Sequence, residues 1–234
     1  TGLPDDIAAL FPDSFEDSEL GEIPKGWGIS DLGALSHILN GFAFKSKDYC
    51  GPEGIRVLRT KNFTLSGYAS KNTDDVFLPK NFLSSHKQYI CEPFDFYLVM
   101  VGASVGNTAL LLPNMLPALR NQNMWCFRPK ETMPSKFYLN YAVQRKVESV
   151  MSWADGSARS FFRKSDFRKH NIIVPTEDLL KLFEGKIKGY FELIAANTAE
   201  NETLASLRDT LLPKLISGEL RIPDAEKLIE EAGV

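Results

Sequence analysis

Up to about residue 175 the apolar positions of this chain come in short, β-rich runs, and after it they fall on one helical stripe. The runs are Ile55–Leu58, Tyr89–Ile90, Phe96–Val101, Thr108–Leu112 and Ile172–Val174, and each predicts a strand. Turn signals at Gly51-Pro52, Ser66-Gly67 and Pro113-Asn114 separate them. Between Ser135 and Met151 the apolar residues Phe137, Tyr138, Tyr141, Ala142 and Val147 predict a helix. Residues 27–176 therefore read as a strand-rich, mixed α+β body. Residues 1–26, rich in Pro, Gly, Asp and Glu and without a sustained period, read as an extended connector pinned by Phe11 and Phe15.

From Glu177 the period changes. Leu180, Phe183, Ile187, Tyr190, Ile194, Asn197, Asn201 and Leu204 alternate three and four apart, and Leu207, Leu211 and Leu215 continue the stripe after a slip. Residues 177–217 are thus expected to form one long helix, leaving 218–234 as a tail. Pro213 is expected to kink or end it, with Gly218 as a stop. The 36 residues from Glu177 to Leu212 would span about 54 Å. That is too long to lie wholly on one small domain, and Asn at a seam position fits a register-setting contact with a second helix. Gly185 and Gly189 each cost about 1 kcal/mol in a helix against Ala, a cost consistent with close approach of a partner helix.

Charge changes the picture of the body. Residues 36–175 carry 19 Lys+Arg against 10 Asp+Glu, whereas both flanks are acidic, so the whole-chain charge of −3 hides an electropositive domain. The three cysteines, Cys50, Cys91 and Cys126, are far apart, which speaks against a disulfide framework or a Cys-type zinc site. No apolar stretch of about 18 residues is present to cross a membrane. The N-terminal residues do not read as a signal peptide, and a cytoplasmic location is expected.

Catalytic constellations are missing from the pattern. His37, His86 and His170 lack metal-ligand spacing. Gly102–Thr108 has too few residues between its glycines for a phosphate-binding P-loop, and Asn107 stands where Lys is needed. Glu184-Gly185-Lys186 has a carboxylate-x-lysine form but no acidic companions. The chain is expected not to be an enzyme, and to hold no metal or cofactor itself.

Several turn-rich segments instead carry groups suited to phosphates and base edges. These are Lys45 and Lys47 after Phe42 and Phe44, then Arg59 and Lys61, then Arg120, Asn121 and Asn123, then Ser157, Arg159 and Arg163. Each alone is weak evidence. Surface cations are commonly just solvated, and amides such as Asn121 and Asn123 also serve to tie loops to backbone.

Along nearly its whole length the chain resembles one half of the DNA-specificity subunit of Type I restriction–modification systems: a target-recognition domain followed by a helical spacer. The likeness rests on residues 20–27 (LGEIPKGW), 41–46 (GFAFKS), 98–106 (LVMVGASVG), 121–123 (NQN), Gly156-Ser157, 172–175 (IIVP) and, most specifically, 211–222 (LLPKLISGELRI). It departs from the family at Asp178–Lys181, where an acidic-Gln pair is usual, and in containing one half rather than two. The acidic opening resembles the connector before a second half, so a C-terminal half is expected.

The resemblance implies a non-catalytic chain that reads one half of a split target in double-stranded DNA. Its helix would pack as an antiparallel coiled coil against a second specificity half or a second copy. Methyltransferase subunits would dock on it and bring S-adenosylmethionine, and a restriction/translocase subunit would bring ATP and Mg. The alternative is a protein-binding assembly module whose basic surface is incidental.

Overall fold

The computed structural model describes residues 2–64, 66–153 and 163–222. In chain order the elements are α1 (Asp5–Ala8), β1 (Phe15–Ser18), β2 (Gly21–Pro24), β3 (Gly28–Asp31), α2 (Leu32–Leu35) and β4 (Ser36–Asn40). Then follow β5 (Ile55–Leu58), β6 (Phe77–Leu78), α3 (Phe82–Ser85), β7 (Phe96–Val99), β8 (Thr108–Leu110), β9 (Ala118–Arg120) and β10 (Met124–Pro129). The chain continues through α4 (Lys136–Trp153), α5 (Lys164–Phe167), β11 (Asn171–Val174) and α6 (Glu177–Ile216). This is a strand-rich mixed domain followed by a long C-terminal helix. By compactness the chain divides into residues Thr1–Lys188 and Gly189–Val234.

The body is built on an antiparallel sheet of order β4-β10-β7-β8 and a smaller one of order β6-β5-β9, in which β5 and β9 run parallel. All four residues of β7 are buried, as are Met124, Trp125, Cys126 and Phe127 of β10. These two central strands explain why Phe96–Val99 reads as a continuous apolar run rather than an alternating one. Leu58, Tyr97, Val99, Ala109, Leu111 and Ala118 share one core cluster, which seats the two sheets on each other. A third pairing, β3 with β11 in antiparallel register from Gly28↔Val174 to Asp31↔Asn171, joins the start and end of the domain.

Three expectations need correction. The connector is not merely extended: it holds α1 and a hairpin in which Phe15 pairs Pro24 and Ser18 pairs Gly21. Phe11 and Phe15 are exposed rather than acting as buried pins, at 42% and 67%. Tyr89–Ile90 is not a strand; Tyr89 closes a 3-10 turn, and Ile90 makes a single bridge to Leu119. Finally, α6 runs through Pro213 to Ile216 and stops where Gly218 takes a left-handed conformation, φ 74°. Pro213 lacks one helical N–H, but near a helix end this omits one bond without ending the helix.

Helix α4 is capped by the residue before it, Ser135, whose Oγ accepts from Tyr138 N at 3.0 Å in the usual N-cap manner. A second acceptor comes from a distant element. Glu184 Oε2, on α6, takes Phe137 N at 3.1 Å and Ser135 Oγ at 2.8 Å. The carboxylate of the Glu-x-Lys triplet is therefore a helix cap within the body. Tyr138 adds its hydroxyl to Ile173 O at 2.8 Å and its ring edge-on to Phe183, tying α4 to β11 and α6. Burial pushes the Tyr138 hydroxyl up to about 12. No helix among the described residues is long and apolar enough to cross a membrane.

Candidate nucleic-acid interface

Three of the segments singled out in the sequence meet at one edge of the body. Past the end of β4, Phe42 N donates to Arg120 O (3.2 Å), and Gln122 N returns a bond to Phe42 O (3.0 Å). Asn121 N donates to Leu58 O (2.9 Å), bringing in the Arg59–Asn62 turn. The loop after β7 joins through Met100 N to Asn123 O (3.0 Å). Lys164 Nζ reaches Asn40 Oδ1 at 3.3 Å, adding the entrance of α5. The close approach depends on Gly41, because a Cβ there would lie 1.6 Å from Asn121 O.

The side chains at this edge divide into exposed and engaged groups. Lys45, Lys47, Asn123 and Arg163 are exposed, and the three cations form no ion pair with a described residue. Asn123 adopts φ 72°, a left-handed turn conformation that Asn tolerates better than most residues. Asn121 turns its Oδ1 back onto Gln122 N at 2.9 Å, so its amide is part of the loop scaffold. Arg59 and Lys61 both pair with Asp74, whose carboxyl is held below the usual range first by the hydrogen bond from Lys61. The Nε of Arg59 is nevertheless buried with no hydrogen-bond partner among the described residues. Ser157 and Arg159 lie outside the described residues.

Arg120 is a correction. Its residue exposure is 2%, and its guanidinium donates to three backbone carbonyls: Asn40 O (2.9 Å), Ile90 O (3.0 Å) and Gln88 O. It also lies over the Tyr89 ring, 5.6 Å from the centroid. It staples the loop cluster from beneath and cannot reach a base. Arg128 does related work. It grips fully buried Asp95 through Nε and Nη2, at 2.9 and 2.7 Å, and shares the Ile90 carbonyl with Arg120. Part of the positive surplus of the body is thus internal structure. Sequence counting cannot separate these two arginines from solvated ones, because their acceptors come from residues up to 80 positions away.

On the helix, the expected seam also splits. Leu180 is buried at 2% and Phe183 half-buried, so both serve the body's own packing rather than a seam. From Gly189 to Ile216 no described side chain is buried; Tyr190 is 66% and Leu204 42% exposed, Asn197 and Asn201 are exposed, and Ile194 is intermediate. Ile187, just before this unit, is likewise intermediate. Leu204, Leu207, Leu211, Leu212 and Leu215 with Arg208 line an apolar groove of about 300 Å³ along the helix. A Cβ at Gly185 or Gly189 would meet nothing within 4 Å. No metal-ligating cluster of His, Cys, Asp or Glu occurs among the described residues.

The chain is similar to known proteins along this whole architecture. The Type I restriction enzyme HindI specificity subunit of Haemophilus influenzae is 26% identical over 203 residues, covering 85% of this chain and 42% of the relative. The MjaIX specificity subunit of Methanocaldococcus jannaschii is 25% identical over 206 residues, covering 87% and 46%. The chain thus spans about half the length of the curated relatives it matches. In fold it is similar to the HsdS subunit of Thermoanaerobacter tengcongensis, with TM-score 0.52 at 17% identity, over 92% of this chain and 49% of that one. The S subunit of a Type I restriction–modification system from M. genitalium also gives TM-score 0.52, at 18% identity over 82% and 46%. The family model described as Type I restriction modification DNA specificity domain matches residues 24–179, and the chain belongs to that family.

Proposed function

We propose that this chain is the sequence-reading part of a Type I restriction–modification complex and performs no chemistry itself. The body reads one half of a bipartite target in double-stranded DNA through the edge where the 41–47, 58–62 and 120–123 segments meet. Lys45, Lys47 and Arg163 hold phosphates there, while Asn123 lies where base edges pass. The exposed stripe of α6 packs antiparallel against a counterpart helix, from a second half or a second copy, and sets the distance between two readers. Methyltransferase subunits dock on the chain and supply S-adenosylmethionine, and a restriction/translocase subunit supplies ATP and Mg.

The observation that carries this reading is the convergence of loops distant in sequence onto one edge, with the cations Lys45, Lys47 and Arg163 exposed on those segments. The test is to express the chain beside a methyltransferase partner and map methylation across a genome. A single split motif whose half changes with the body, and not with the helix, is the expected outcome. Binding to duplex DNA that does not weaken between 50 and 200 mM salt would contradict a phosphate-contacting reader, for which a loss of orders of magnitude is expected.

A further inference from the structure

β4, the edge strand of the large sheet, borders a cavity that shares only Lys164 with the contacts of the loop cluster. Ser36, His37, Ile38, Leu39, Lys130, Lys164 and Arg168 line a cavity of about 160 Å³. Three of the seven are cations, and none is a carboxylate. Two of the cations are placed by neutral groups: Lys130 Nζ donates to Gly33 O, and Lys164 Nζ to Asn40 Oδ1. Arg168 is fixed by its backbone, since Gly33 N donates to Arg168 O at 2.9 Å. Asp31, beside Gly33, uses Oδ1 to accept Ala34 N at 2.8 Å and cap α2.

Like charges in so small a space repel one another unless an anion joins them. Partial burial, and then the nearby Arg168, hold the Lys164 ammonium below the ordinary lysine range. An ammonium has three donors, and the described contacts of Lys130 and Lys164 each use one. The cavity also adjoins the loop cluster through one residue: Asn40 offers its side chain to Lys164 and its carbonyl to Arg120.

We propose that this cavity is a phosphate site, formed by Lys130, Lys164 and Arg168, that grips a phosphodiester group of the duplex beside the bases being read. The inference rests on the DNA-reading function proposed above and adds to it a specific anchor, which fixes register without conveying sequence. Its occupant is a tetrahedral oxyanion; a free phosphate ion has the same chemistry, so the test separates the two.

The experiment uses the full chain and a 30-base-pair random-sequence duplex. Fluorescence anisotropy across a salt series compares the parent with Lys164→Gln/Arg168→Gln, and amine acetylation followed by mass spectrometry reads Lys130 and Lys164 with and without duplex. Matched thermal unfolding shows that the variant is folded; should it not be, Lys164→Gln alone replaces it. The proposal expects the variant to bind every duplex about tenfold more weakly, with the slope of log K against log salt lower by about 1. It also expects the duplex to protect both lysines from acetylation. An unchanged slope with unprotected lysines, while the parent binds DNA, overturns the phosphate site and leaves the DNA-reading function standing. If the parent binds no duplex, the DNA-reading function falls; lysines that 20 mM inorganic phosphate then fails to protect, against an ionic-strength-matched chloride control, overturn the anion site as well. Protection by inorganic phosphate together with an unchanged duplex slope assigns the cavity to free anions and overturns the phosphodiester proposal.

Discussion

Glu184 of α6 accepts the backbone N–H of Phe137, in the first turn of α4, at 3.1 Å. The same oxygen takes the Ser135 hydroxyl at 2.8 Å, so a residue of the long helix completes the cap of a helix 47 positions earlier. Replacing Glu184 by Ala should destabilise the body by about 1–2 kcal/mol, the cost of a lost N-cap. Because Ser135 shares the arrangement, Ser135→Ala and Glu184→Ala should not be additive. A double-mutant cycle by urea unfolding checks both, and strict additivity would separate the two contacts.

Arg120 predicts a fold defect rather than a specificity change. Arg120→Ala would take the side-chain donor from the Asn40 and Gln88 carbonyls, Ile90 O keeping its bond from Arg128, and should cost about 2–3 kcal/mol. Thermal unfolding should register that loss. A variant of parental stability with relaxed base preference would make Arg120 a reader after all.

Asn123 allows the amide and the turn to be separated. Asn123→Gly keeps the left-handed conformation at φ 72° and removes the side chain. It should preserve stability while relaxing preference at one base position. Asn123→Ala should in addition lose about 1 kcal/mol from the strained backbone. Methylation mapping beside denaturation distinguishes them, and identical target choice in Asn123→Gly would remove Asn123 from the reading face.

The thiols make a prediction about pH. Burial drives Cys91 from its ordinary 9.0 up to about 12, and Cys126 well above its ordinary value, whereas Cys50 is exposed. Alkylation of the folded chain at pH 8 should therefore label one cysteine, Cys50. A raised thiol pKa means that the unfolded chain releases its proton first. The contribution of Cys91 to stability is complete below pH 9 and is lost as pH rises from 9 towards 12. Denaturant midpoints across that range should fall, and a flat profile would contradict a buried neutral thiol.

On the helix, Leu207→Asp/Leu211→Asp should abolish association through the apolar groove while leaving the body folded. Gly185→Ala and Gly189→Ala each favour an isolated helix by about 1 kcal/mol. If a partner backbone approaches there, the same changes should weaken association. Analytical ultracentrifugation beside circular dichroism reads both, and tighter association in the alanine variants would exclude close packing at those glycines.

Local signals made much of this legible. β5 occupies Ile55–Leu58 as the apolar run predicts, and α4 and α6 follow their helical periods closely. Gly102–Thr108, too short for a P-loop, joins β7 to β8 with Gly102 and Gly106 at positive φ. The failures share a cause. The hairpin at 15–24 is exposed apart from Ile23 and carries little apolar pattern, β4 and β10 lie outside the runs used for prediction, and Leu180 looks like any other stripe position. The roles of Arg120, Arg128 and Glu184 depend on partners that only the tertiary fold brings near. Composition registers their charge but not their burial.

The β3–β11 pairing has a consequence for how such a chain diversifies. Because Gly28 and Val174 face each other, the polypeptide enters and leaves the domain side by side, like both prongs of one plug. A different insert between those strands would keep the helix's joint if it retained the closing pair and the partners that Glu184 and Phe183 find in Ser135, Phe137 and Tyr138. A new binding preference could then arise by transplanting a single cassette, without redesigning the parts that hold an assembly together.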